Sequence, residues 1–435
     1  MLELDGSLIF APAYDTDFFQ ALPPRAGVLL LEMLDSKAQP YLARTADIQR
    51  AAERLLREPE TLSKRLNLRA VTANIRYRMT GSKFEQSLTL YEQARLHFPR
   101  RYREVMRLRP PALLKVNLRS AYPRCYVTRR IRADEGFYFG PFASRKSAEA
   151  FSEGFLDLFK IRRCQIKILR DPDFPGCIYS EMKMCLAPCF AGCTKADYDV
   201  EVGHVLESLD TAGTALAERI EREREAASEA LDFERAASLH KRLEKVSAAL
   251  RGLPEFARRI EDLDAIILQR AAGEKTIIAF PVRAGMMGEP IFLRFAEIAS
   301  EPRSVEAILR EHLKPYEKPV EQRAHAVPAE AESFALPELG AEEPSAPPTP
   351  VNPAQQPPEP AVSFRDRYGL QSAVPELPEH LSLLARWFYS KPREGEIFFR
   401  GKDWPYRRIL RACARLLAPP GTPTEGSEAQ PPKQM

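Results

Sequence analysis

Between Pro315 and Pro360 the chain places twelve prolines, and from Glu330 to Pro360 it carries six acids and no base. Such a stretch buries too little apolar surface to offset its ordering entropy, so residues 315–362 read as a disordered or extended linker. It divides the 435 residues into a main body and a C-terminal tail, 363–435, and length alone suggests two to four domains. In the tail, "HLSLLARWFYSKPREGEIFF" and "DWPYRRILRACARLLA" read as a strand-like stretch between two short helices, and a weak match of "LLARWFYS" offers the alternative that the tail finishes a β-rich domain interrupted by the linker.

The body divides again. After an N-terminal extension, 1–24, residues 25–110 mix strand signals ("GVLLLEML", "LRAVTANIRYRM") with helical ones ("TADIQRAAERLLRE", "SKFEQSLTLYEQARLHF"), which predicts a small α/β domain. Residues 111–200 begin with short strands ("RCYVTRRI", "GFYFGPF"), continue with a helix from Ser144 and end in a cysteine-rich segment. Residues 202–253 are strongly helical and break near Ala230–Asp232, the pattern of an α-hairpin. Residues 258–314 return to strands ("DAIILQRA", "EKTIIAFPVR", "EPIFLRFAEI"), with Ala284-Gly285 as a turn, and read as a partial β-rich domain. The expected class is α+β multidomain.

Apolar residues make up 44% of the chain, enough for real cores. There is no run of 18 uncharged apolar residues, so no membrane span is expected. The first residues are acidic where a signal peptide carries bases, which points to a cytoplasmic protein. Net charge is only +4, yet Arg95–Arg132 holds twelve basic residues against one acid, Glu104. Phe98, Tyr102, Tyr122 and Tyr126 are interleaved with them. Cations beside stacking surfaces suit nucleic acid, with Arg119, Arg124, Arg129, Arg130 and Arg132 the candidate DNA contacts. The plainer alternative is a solvated basic face.

Five of the seven cysteines fall within Cys164–Cys193, spaced Cys164-x12-Cys177-x7-Cys185-x3-Cys189 with Cys193 four further on. In a reducing compartment such clusters are metal ligands more often than disulfides. Four thiolates are the usual set for a tetrahedral zinc or an iron–sulfur cluster. Paired CxxC knuckles are absent, and the wider spacing leans toward the cluster. Small cysteines buried in a core are the alternative.

The run "YPRCYVTRRIRADEGFYFGPFASRKSAEAFSEGFLDLFKIRRC", followed by "GCIYSEMKMCLAPC", resembles the middle of the UvrC family of the excinuclease ABC system, the incision component of bacterial nucleotide-excision repair. The resemblance extends over roughly residues 25–300. It implies an iron–sulfur cluster on Cys164, Cys177, Cys185 and Cys189, with Cys193 spare and zinc as the alternative. In "ALDFERAASLHKRLEKV", Phe233, Ala236, Ala237 and Leu239 place an apolar stripe on one helix. Alone this is a generic antiparallel hairpin. It is also similar to the family's UVR motif, which implies docking on the matching hairpin of UvrB.

Upstream, the family carries a GIY-YIG nuclease that makes the 3′ incision with a metal held by a glutamate, helped by tyrosines, a lysine and an arginine. Carried over, the first element reads Gly27-Val28-Leu29, without its tyrosine, and the second Tyr41-Leu42-Ala43, without its glycine. Arg44 stands at the lysine position, Ala51 at the arginine between Arg50 and Arg54, and Glu92 at the metal-binding glutamate. One transition-state-stabilising group is worth on the order of 3 kcal/mol, so these losses imply absent or weak cleavage. Mg or Mn would bind only if Tyr41, Arg44 and Glu92 still work; otherwise Tyr41 is packing and Glu92 an ordinary helix glutamate. Residues 262–298 are similar to the segment that introduces the family's RNase H-like nuclease. The remainder is too short for that fold and the helix-hairpin-helix domain, so a truncated form is expected. Three functions follow: a UvrC-like repair protein that binds DNA and UvrB with little cleavage, an active enzyme making only the 3′ cut, or a metal-cluster nucleic-acid regulator on the same scaffold.

Overall fold

The computed structural model describes residues 2–11, 16–58, 66–132, 136–316 and 375–418, and the linker read over 315–362 lies outside them from residue 317 onward. Three antiparallel sheets organise the described residues.

The first sheet has the order β1 (Gly6–Ile9), β4 (Thr72–Met79), β2 (Gly27–Met33), β3 (Tyr41–Thr45). Residues of β2 alternate between two apolar layers, which is why its sequence is a continuous apolar run. Leu29 and Leu31 face α1 (Ile48–Leu56) together with Phe10, Phe19 and Leu22. Val28 and Leu30 face the opposite way, with Leu4, Leu42 and Leu90 of α2 (Lys83–His97). Both helices begin as the sequence suggests: the Asp47 side chain accepts from Arg50 N–H and Ser82 Oγ from Glu85 N–H. Gly27 is obligatory by contact, because a Cβ there would lie 2.1 Å from the Arg78 carbonyl oxygen. A short α3 (Tyr102–Val105) leads out of the unit.

The second sheet runs β6 (Cys125–Thr128), β5 (Ala112–Asn117), β7 (Gly136–Phe142), β8 (Arg258–Arg259). Helix α4 (Arg145–Leu156) starts with a reciprocal Ser144–Ser147 capping box. It lays Phe151 and Phe155 over Phe139 and Phe142, with the Phe151 and Phe155 rings stacked at 5.5 Å. The cysteine segment, with α5 (Ile178–Glu181), leads into α6 (Lys195–Asp210), whose Tyr198 ties down the residues before the segment. The buried Tyr198 hydroxyl donates to Pro123 O at 2.8 Å and accepts from Arg162 N–H at 3.0 Å. Helices α7 (Thr214–Glu229) and α8 (Phe233–Leu250) form the expected hairpin. Its corner is Leu231, at φ +57°, followed by Asp232 as the cap of α8.

The third sheet joins β9 (Ala265–Arg270), β10 (Thr276–Arg283), β11 (Met286–Met287) and β12 (Ile291–Arg294), with α9 (Phe295–Ile298) and α10 (Val305–Leu313) after them. The tail supplies the rest: α11 (Leu377–Phe388), β13 (Glu396–Phe399) and α12 (Tyr406–Leu417). Helix, strand and helix occur where the sequence places them, but they are not a separate tail. Strand β13 pairs antiparallel with β9, from Glu396↔Leu268 to Phe399↔Ala265, so the domain read as partial over 258–314 is closed by residues 375–418. An apolar strand such as β9 needs a partner on each edge and a cover on each face. Helix α12 covers one face with Ile409, Ala412 and Cys413. Helix α11 covers the other, inserting Leu381, Leu384 and Trp387 among Phe84 and Tyr91 of the first unit, Leu113 and Tyr138 of the second, and Phe280 and Val282 of the third. All three units therefore share one core around α11.

Candidate functional sites

The cysteine segment brings four thiols into mutual influence. Burial is the largest cause pushing Cys185 up to about 11, and the neighbouring Cys164, Cys177 and Cys189 add to the rise. Cys189 is raised by burial and likewise by Cys177 and Cys164. Among the cysteines, Cys193 responds only to Cys189, and its backbone carbonyl is held by Arg170. The Ala187 N–H points at Cys185 Sγ at 3.3 Å, and such N–H···S bonds stabilise a thiolate. The donor set thus suits a thiolate-bound centre in its chemistry. As the segment stands, the described residues contain no group of three or more His, Cys, Asp or Glu side chains arranged to hold a metal ion.

The nuclease-like positions fall on different sides of the first sheet. Leu29 is fully buried on the α1 face, where Tyr41 packs against the same cluster and Ala51 is 8% exposed. Arg50 and Arg54 point to solvent, and Arg50 lies 3.5 Å from Asp47. Arg44 is exposed in β3. Glu92 belongs to α2 and accepts the Leu2 N–H. Its carboxyl is raised, chiefly by burial and against the pull of that bond, Arg78 and Arg95. The Tyr41 ring is thus partly buried against that cluster, and Glu92 is tied to the N-terminal segment.

The basic stretch divides as well. Arg95 pairs with Glu376, and Arg103 Nε lies 2.5 Å from Glu379 of α11. Glu379 is buried and also accepts from the Tyr91 and Tyr102 hydroxyls at 2.6 and 2.8 Å. Burial and that carboxylate push the Tyr91 hydroxyl well above the usual phenol range. Arg119, Arg129, Arg130 and Arg132 stay exposed, and among the described residues none of them has an acidic partner. Arg124 lies over the Tyr126 ring at 4.3 Å. Glu379 and the α11 surface are missing from the sequence reading, since nothing in the linear order places the tail beside α2.

The hairpin stripe splits between two faces. Leu239 is 8% exposed and, with Ala236, Leu243 and Val246, packs inward on α7. Phe233 is 68% exposed beside Leu231 at 71%, and Ala237 also faces out. The hairpin closes its own seam without Phe233, which leaves an apolar tip.

Residues 112–208 match the UvrC/Cho excinuclease middle domain, and residues 214–249 match the UvrB/uvrC motif. These ranges take in β5–β7, the cysteine segment and α6, and then the α7–α8 hairpin. Over residues 112–249 the chain is thus similar to UvrC/Cho-type proteins. It is 28% identical over 266 residues to the UvrABC system protein C of Moorella thermoacetica, covering 60% of this chain and 43% of that protein. The Dehalococcoides mccartyi protein of that name is 26% identical over 271 residues, 61% of this chain and 44% of the relative. That of Novosphingobium aromaticivorans is 31% identical over 165 residues, 38% and 25% respectively. The chain thus spans less than half the length of these curated relatives. No solved structure matches it. Among the described residues no helix is long and apolar enough to cross a membrane.

Proposed function

We propose that this chain is a UvrC-like nucleotide-excision repair protein that binds DNA, docks on UvrB through the α7–α8 hairpin, and cleaves weakly or not at all. The observation that carries the reading is the hairpin tip. Leu231 and Phe233 lie exposed on a motif matched as UvrB/uvrC, while its own seam is complete. Buried aromatics dominate interfaces of this kind, so an exposed one at a helical corner marks the docking face. Arg119, Arg124, Arg129, Arg130 and Arg132 supply sequence-independent phosphate contacts.

Cys164, Cys177, Cys185 and Cys189 hold an iron–sulfur cluster in this reading, with zinc as the alternative. A bound centre supplies a rigid cross-link between the strand-rich half of the second unit and α6. The Ala187 N–H and Arg162, whose Nη1 lies 3.9 Å from Cys164 Sγ, are the residues placed to stabilise the thiolates. Protein purified anaerobically is expected to be brown, and Cys185→Ser to bleach it. A colourless protein with stoichiometric zinc would reject iron while keeping the ligand set.

Weak cleavage rests on the first sheet. A leucine fills the buried place of the first tyrosine, an alanine faces the core where the arginine is expected, and Glu92 is engaged by Leu2. The test is nicking of a lesion-bearing duplex with Mg or Mn and UvrA and UvrB supplied. Background levels are expected. Robust 3′ nicking that Glu92→Ala removes would make this a working single-incision nuclease.

A further inference from the structure

Two clefts flank α11 and share Arg386. One, of about 350 Å³, lies between α11, the residues leading into β5 and the start of α4. Its charged lining is Arg107, Arg109, Arg129 and Arg386, with no carboxylate. The second, of about 190 Å³, lies between α11, β3 and the start of α2, and is lined by Arg44, Lys83, Arg386 and Lys391 with Glu394 as its acid. Glu394 is already engaged, accepting the Lys83 N–H at 2.8 Å and lying 3.3 Å from Lys83 Nζ. Arg44, Arg107, Arg109, Arg129 and Lys391 are exposed, and among the described residues no ion pair occupies any of them. Arg386 is fixed where the clefts meet, donating to Arg107 O at 2.9 Å and toward Met106 O at 3.4 Å.

Uncompensated like charges held this close repel one another, and a polyanion relieves that repulsion. Five of the seven cations are arginines, whose planar fork matches phosphate oxygens better than an ammonium does. Aromatic walls accompany the charge, Phe84 and Trp387 in the smaller cleft and Phe142 and Tyr389 in the larger. The larger cleft also opens on Ser144, the N-cap of α4, where the helix dipole favours an anion.

We propose that the two clefts form one track for the phosphate backbone of DNA, running across α11 from Arg44 to Arg129 and completed by Arg386 and Lys391 of the C-terminal segment. It rests on the DNA-binding reading above and adds a contact surface that all three units build together. The family resemblance and the domain matches stop short of α11, whereas the track needs it.

Fluorescence anisotropy of the full chain with a labelled duplex, across a potassium chloride series, tests this. Arg107→Gln with Arg109→Gln is expected to weaken binding roughly tenfold and to flatten the salt slope by about 1.8, or 0.9 for each lost phosphate contact. Lys391→Glu, in the other cleft, should weaken binding in the same direction although it lies far away in sequence. Both sets change exposed side chains, and unaltered thermal melts would show that the fold is intact. Wild-type affinity and slope in both variants, beside normal binding by the unmodified chain, would overturn the track and leave the DNA-binding reading standing. No duplex binding by the unmodified chain at low salt would overturn both. Displacement of the duplex by poly-glutamate at equal charge would assign the clefts to an acidic peptide and reject DNA as their ligand.

Discussion

Phe233 and Leu239 stand six positions apart on one helix and do opposite things. Leu239 fills the seam of the hairpin, whereas Phe233 leaves most of its ring in water. Truncating a buried leucine costs about 2–5 kcal/mol, so Leu239→Ala should lower the denaturant midpoint clearly. Phe233→Ala should shift it by less than about 0.5 kcal/mol, as surface changes do. Equal losses in the two variants would place Phe233 in the core. Ala51 makes a similar point on the nuclease side. It lies among Phe10, Phe19 and Leu29, so Ala51→Arg would drive a guanidinium into apolar packing. The expected outcome is a destabilised first unit, on the order of 3 kcal/mol, with no gain of nicking; a stable variant that gains incision would contradict that placement.

Among the elements, α11 has the most consequences, and His380 is expected to make its docking depend on pH. His380 Nδ1 accepts the Met287 N–H at 3.1 Å, and burial lowers its pKa from 6.5 to about 4, against a rise from Glu376 and Glu379 and with a further lowering from Arg95. A depressed folded pKa means that the unfolded chain takes up the proton first. The stabilisation is complete above pH 6.5 and is lost as pH falls toward about 4, at about 1.4 kcal/mol per pH unit within that window. His380→Gln keeps an acceptor and removes the titration, so its unfolding free energy should fall less than wild type between pH 7 and 4.5. Parallel curves would show that His380 does not titrate in this window. The sequence made α11 legible as a helix because its apolar positions repeat at helical spacing. It offered only a weak hint that this segment completes the third unit, and it did not reveal the packing against the first and second units, since that depends on partners separated from it by a long proline-rich stretch. The strands of the first and third sheets were legible for the same local reason. The two-faced hairpin was not, because spacing alone places Phe233 on the same stripe as Ala236 and Ala237.

At the scale of the whole molecule, residues 375–418 are structural rather than appended. They supply an edge strand to β9, a cover to each face of the third sheet, and Glu376 and Glu379 to the cations and tyrosines of the first unit. A chain ending before residue 375 should be recovered mainly as aggregate, because the β9 edge and the core around Trp387 would be exposed. A soluble truncated chain with an unchanged melt would contradict the shared core. The same construction places the arginine-lined clefts, the cysteine segment and the hairpin on one body. The most direct measurement is therefore a pull-down of the full chain with UvrB, repeated with Phe233→Ala, alongside duplex binding by both proteins. Wild type is expected to capture UvrB, the variant is expected not to, and both are expected to bind DNA alike. Capture of UvrB by Phe233→Ala as efficiently as by wild type, or by neither protein, would contradict docking through the hairpin.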